Sequence, residues 1–129
     1  FGQANVRVIF GKPMLNIDNS AAATAADPAT DGILLLRYLL GFRGATLIAN
    51  ARGSAGASPL RDATEIEAYL AANLGALDVD RDGQTLALTD GLMILRRLLG
   101  LDGAAVTAGV NRGPNSDADV LTWIDALKP

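Results

Sequence analysis

The chain of 129 residues contains no cysteine and no histidine. Disulfide staples are therefore excluded, as are zinc sites built on those ligands and Ser-His-Asp or Cys-His catalysis. Aromatic residues make up only 5% of the sequence, and much of the 50% hydrophobic fraction is alanine. Each buried side chain then removes little apolar area from water. A small domain with so modest a core gains from a staple of another kind, and a metal ion remains open to it. Long apolar runs are missing too. The stretches ILLL and YLL on either side of Arg37 are too short to cross a bilayer, so no membrane insertion is expected. The 11 basic residues form no run or stripe, which argues against a nucleic-acid partner. The first residue is Phe1 rather than Met, as expected of a processed product or an excised piece.

What the chain does have is a concentration of acid. Asp78, Asp80 and Asp82 fall at alternate positions, Gly83 follows, and Asp90 stands at the mouth of an apolar helix. Four of the 14 acidic residues thus lie within 13 positions of a chain whose net charge is only −3. Without a cation these carboxylates would repel one another. Calcium takes six to eight oxygen ligands, and alternating carboxylates followed by a glycine bend can wrap one ion. In this reading Asp78, Asp80 and Asp82 are the first, third and fifth ligands, and Gln84 offers its backbone carbonyl at the seventh place. Asp90 closes the loop one residue later than in a twelve-residue calcium loop, in the first turn of a helix whose dipole favours a carboxylate.

The sequence is duplicated. Residues 30–41, TDGILLLRYLLG, match residues 89–100, TDGLMILRRLLG, at 8 of 12 positions. A second correspondence pairs residues 61–74 with residues 115–127, so that Tyr69 faces Trp123. Internal repeats change what counts as a unit. The expected fold is mainly α: two pseudo-symmetric units of loop, helix, connector and helix sharing one core, with a short N-terminal β-strand. Residues 1–14 form the strand segment, 15–75 the first unit and 76–129 the second. Helices are expected over Asp31 to Leu40, Ala63 to Asn73, Asp90 to Leu99 and Asp117 to Leu127. Thr30, Thr89, Asp62 and Ser116 are the expected caps, Asp62 and Glu65 stand at capping-box spacing, and Gly41 and Gly100 are stops. Tyr69 and Trp123 fall on apolar helix faces and are read as core. Arg96 and Arg97 read as a solvated edge. The alternating stretch Asn5 to Phe10 reads as the strand. It pairs either with a neighbouring subunit or, within the chain, with residues 46–48 or 105–107.

The first loop is a degraded copy. Asn16, Asp18 and Ser20 stand where the second loop has aspartates, and an insertion precedes Asp31. Asp27 is placed to fold back from that insertion as a replacement ligand. These oxygens carry less charge, so the loop predicts a second and weaker calcium site. An Asp-x-Asp pair also occurs in metal-dependent phosphoryl and glycosyl transfer, but those enzymes need a larger fold than a repeat of this size supplies.

The pattern resembles dockerin, a calcium-binding module in which an aspartate-rich loop runs into a leucine-rich helix. Asp78, Asp80, Asp82 and Asp90 match its acidic ligands, and Arg37-Tyr38-Leu39-Leu40-Gly41 resembles the end of its helix. The helices over residues 63–73 and 117–127 have no counterpart in that pattern. The resemblance implies an extracellular or cell-surface calcium module used for assembly or adhesion. The expected function is non-catalytic and calcium-stabilised, in a surface protein or fibre subunit, with a protein partner or self-association. The alternative is a docking module for a cohesin-like receptor, although Leu88-Thr89 stands where dockerins often present a small polar pair.

Overall fold

A computed structural model describes residues 15–21, 26–56 and 58–128. Among the described residues the protein is mainly α, with six helices and one isolated antiparallel bridge, Ser20 to Ala55, in place of any strand. The helices are α1 (Ile33–Leu39), α2 (Ala45–Ile48), α3 (Ala63–Asn73), α4 (Leu92–Leu98), α5 (Ala104–Thr107) and α6 (Asp117–Asp125). A π-helical turn precedes α1 (Pro28–Gly32) and another precedes α4 (Ala87–Gly91). The order of turn, helix, one-turn helix and helix thus occurs twice. The expected strand over residues 5–10 lies outside the described residues. Residues 46–48 and 105–107, considered as its partners within the chain, are helical, which rules them out as ladder strands.

Local chemistry sets these boundaries. Asp31 and Asp90, expected to open regular helices, sit instead in the π-turns, and α-geometry begins two residues later. The wider turn lets each carboxylate reach back to the loop before it. Thr30 and Thr89 are therefore inside turns rather than caps, and Asp27 accepts from Ala29 N at 2.8 Å at the first turn's start. At the far ends, Gly41 (φ 100°) and Gly100 (φ 94°) take the left-handed conformation. Phe42 N then reaches Arg37 O and Leu101 N reaches Arg96 O, closing both helices by the same backbone motif. α3 has the expected span and the Asp62–Glu65 capping box. α6 adds a second such box between Ser116 and Asp119.

The connectors hold α2 and α5, which are too short to show a helical period. An arginine from the preceding helix supports each. Arg37 Nη1 donates to Leu47 O (3.0 Å) and Ala49 O (2.8 Å), and Arg96 Nη1 donates to Val106 O (3.1 Å) and Ala108 O (2.7 Å). Arg97 pairs with Asp125 at 2.8 Å and Asp102 at 3.0 Å. The arginine pair is engaged within the chain rather than left as a solvated edge.

Buried side chains from both halves form one cluster. Leu34 and Leu35 of α1 meet Met93 and Ile94 of α4, Ile66 and Leu70 of α3, and Val120 and Ile124 of α6. Leu15, Ile17, Leu77 and Val79 anchor the two loops in it. The central crossing is reciprocal: α1 lies on the second π-turn and α4 on the first. Glycine permits the approach, since a Cβ on Gly32 would lie 2.7 Å from Leu95 Cδ1 and one on Gly91 3.1 Å from Leu39 Cδ1. Tyr69 and Trp123 are half-buried beside the core, each under a guanidinium 4.1 Å from its ring, Arg61 over Tyr69 and Arg81 over Trp123.

Candidate metal centre

The second loop folds around its own carboxylates. Arg81 adopts φ 58° and Gly83 φ 92°, bending the chain twice so that backbone N–H groups point inward. Asp78 Oδ2 accepts from Gly83 N at 2.9 Å, and its Oδ1 accepts from Asp82 N at 3.3 Å. Asp82 N is shared with Asp80 Oδ1 at 3.3 Å, and Asp82 Oδ1 accepts from Gln84 N at 2.9 Å. Gln84, whose backbone carbonyl is the expected seventh ligand, is exposed, and its N–H holds Asp82. Below them, Asp90 is fully buried. Its Oδ1 accepts from Val79 N (2.8 Å) and Asp80 N (3.3 Å), and its Oδ2 from Leu86 N (2.9 Å) and Thr89 Oγ1 (3.0 Å). Asp90 is the clasp that fixes both ends of the loop.

Asp78, Asp80, Asp82 and Asp90 each bring an oxygen to within 4.8 Å of the others, so the four could hold a metal ion. This is the one such group of three or more acidic side chains among the described residues. Within it Asp80 stands apart. Its residue is 1% exposed, yet its Oδ2 has no hydrogen-bond partner. An ionised oxygen buried without donor or cation is strongly disfavoured. Burial, the neighbouring Asp78 and the charge of Asp90 push the Asp80 carboxyl up to about 7. Burial also raises Asp90. For Asp78 burial acts in the same direction, but the N–H groups of Gly83, Asp82 and Arg81 oppose it, and the acid lies below its ordinary value. The oxygen set suits a hard cation and offers nothing to a soft one.

The first loop repeats the clasp but not the cluster. Asp31 Oδ1 accepts from Ile17 N at 2.6 Å and Oδ2 from Asp27 N at 2.9 Å, the bonds that Asp90 makes to Val79 and Leu86. Asn19 takes φ 60° at the place of Arg81. Asn16 Oδ1 and Asp18 Oδ1 both accept from Ser20 N, at 3.2 and 3.0 Å. Asp27 is exposed, and its side chain caps the π-turn at Ala29. Asp18 and Asp31 are buried together, and burial with the charge of Asp18 raises Asp31 to about 6. The decisive difference is at Asp18 Oδ2, which accepts from Gly53 N at 2.6 Å, whereas Asp80 Oδ2 has no partner. Neither Gly53 nor Arg61, which donates to Asn16 O and Ile17 O at 2.9 Å, was legible as part of a loop site. The available signal was connector length: nine residues separate Ala51 from Arg61, but only four separate Val110 from Asn115. No family model, curated protein or solved structure matches this chain.

Proposed function

We propose that this chain is a non-catalytic, calcium-stabilised module of an extracellular or cell-surface protein. In this reading two pseudo-symmetric, dockerin-like units share the single core, and an ion in the second loop is a folding ligand. The observation that carries it is the buried, unpartnered Oδ2 of Asp80 inside a group of four aspartates. Calcium suits a loop of alternating carboxylates best among the abundant hard cations. Calcium accepts six to eight oxygens in irregular geometry, whereas magnesium demands a near-ideal octahedron and keeps its waters. Asp78, Asp80 and Asp82 would coordinate, while Asp90 supplies charge and holds the loop. Outside cells, loops with millimolar to submillimolar affinity are filled, so the ion acts as structure rather than signal.

The test is thermal unfolding in millimolar calcium, in magnesium and in chelator. Calcium should raise the melting temperature well above the chelated value, and magnesium should do so weakly. Identical curves in all three would overturn the reading.

A docking role, with a cohesin-like receptor or another protein partner, is the second reading. It is favoured by large apolar side chains left at the surface: Leu40 and Leu99 at equivalent helix ends, Phe42, and Leu86 and Leu88 on the second loop. A calcium-dependent complex with a cohesin domain in gel filtration would support it, and co-elution failing at high concentration would count against it.

A further inference from the structure

We propose that the first loop is closed by the chain itself, with the Gly53 N–H serving where the second loop takes a cation, so that loop one binds no divalent ion. This inference rests on the reading of loop two as the calcium site, and it departs from the expectation of a second, weaker site.

The two loops share the clasp and the bond at the third position, and they part at the second oxygen of that third residue. Asp18 and Asp80 hold the same third position, are both buried, and both accept from the N–H two residues on. Asp80 Oδ2 then meets no donor, whereas Asp18 Oδ2 accepts the short bond from Gly53 N. The donor arrives because the connector after α2 is five residues longer than the one after α5 (nine against four) and lies back on the loop. Ala21 N donates to Ser54 O at 2.7 Å, and Ser20 bridges to Ala55. The fit is close: a Cβ on Gly53 would lie 3.0 Å from Ser20 Cβ and 3.4 Å from Asp18 Oδ2, and one on Gly56 3.0 Å from Ala21 Cβ. Glycines at these places let the backbone itself reach the carboxylate.

Arg61 ties the backbone of the loop. Arg61 donates to the carbonyls of Asn16 and Ile17 and, through its own N–H, Asp18 O accepts at 2.9 Å. At the matching place in the second unit Asn115 donates its side-chain amide to Asp80 O, and Arg81 supplies over Trp123 the guanidinium that Arg61 supplies over Tyr69. Loop one thus carries only Asp18 and Asp31 where loop two carries Asp78, Asp80, Asp82 and Asp90, and the Gly53 N–H takes the oxygen that a cation would need. Adding a dication to loop one would have to break the Gly53 bond, and it would find two carboxylates there instead of four.

Calcium stoichiometry by equilibrium dialysis decides the matter, on the intact chain, on Asp80→Asn and on Asp18→Asn. The intact chain should bind one ion and Asp80→Asn none. Asp18→Asn should still bind one ion with unchanged affinity, while its melting temperature falls equally in calcium and in chelator. Two ions in the intact chain, or an ion retained by Asp80→Asn, would overturn the inference. Should Asp18→Asn not fold, the other two proteins decide alone. If the intact chain bound no ion, the loop-two reading would fall. An equal destabilisation of Asp18→Asn with and without calcium would still support closure of loop one by the chain.

Discussion

Asp80 carries its charge where the surroundings disfavour it, and this gives two tests of opposite sign. Asparagine at that position cannot ionise and can donate to the neighbouring carboxylates. Asp80→Asn should therefore melt higher than the intact chain in chelator and lose the gain that calcium gives the intact chain. A variant that is less stable in both conditions would contradict the role assigned to the buried oxygen. The pH dependence follows from the same group. Its folded value of about 7 lies above the ordinary 3.8, so between those values the folded chain holds more protons than the unfolded one. Metal-free stability should then fall as pH rises through that window, with Asp31, at about 6, adding to the loss. Calcium needs the deprotonated carboxylates, so its stabilising increment should be larger at about pH 8 than at about pH 5, as melting curves would register. The alternation Asp78-x-Asp80-x-Asp82 made this loop legible in the sequence because its ligands are contiguous. Asp18 was not legible as a closed site, since its partner Gly53 is 35 residues away and carries no side chain to mark it.

At the scale of the helices, the repeated TDG segments place a glycine where α1 and α4 cross, and the two sites differ in tightness. The prospective Cβ at Gly32 is 2.7 Å from Leu95 Cδ1, against 3.1 Å to Leu39 Cδ1 at Gly91. Both glycines have helical φ, so alanine meets only a packing penalty. Overpacking of this kind costs about 1–3 kcal/mol. The clashing atoms are the ends of leucine side chains, which can shift, so the order carries the prediction: Gly32→Ala should lose more stability than Gly91→Ala. Gly75→Ala, where nothing lies within 4 Å, should be close to neutral. Urea unfolding of the three variants checks the order, and an equal loss at Gly32 and Gly75 would remove the crossing as its cause. α3 and α6 were legible because apolar residues three and four apart mark a buried face, and α1 and α4 because an apolar run lies between a TDG segment and a glycine stop. α2 and α5 were not, because one turn holds no period and the support comes from Arg37 and Arg96 nearly three turns of chain earlier. The π-turns were missed for a related reason. A TDG sequence fits a helix start equally well, and the carboxylate's reach back to Val79 or Ile17 depends on the loop's tertiary position.

For the whole molecule, the decisive fact is that both loops root in one core. Leu15 and Ile17 from the first loop and Leu77 and Val79 from the second belong to the same buried cluster as α3 and α6, and Leu15 N donates to Leu127 O at 3.1 Å, joining the first described residue to the end of the last helix. A cluster of this kind has no plane along which one unit could open while the other stays packed, so unfolding should be cooperative. An ion bound in the second loop then stabilises the first unit equally. At a hundredfold excess over its dissociation constant calcium would add about 2.7 kcal/mol, which for a domain of this length raises the melting temperature by roughly 10 °C. Hydrogen exchange separates this from local tightening. Amides of Ile66 and Leu70 in α3, remote in sequence from the aspartates, should gain as much protection on adding calcium as those of Val120 and Ile124 in α6. Protection confined to residues 78–125 would mean that the units open independently and that the shared core does not couple them.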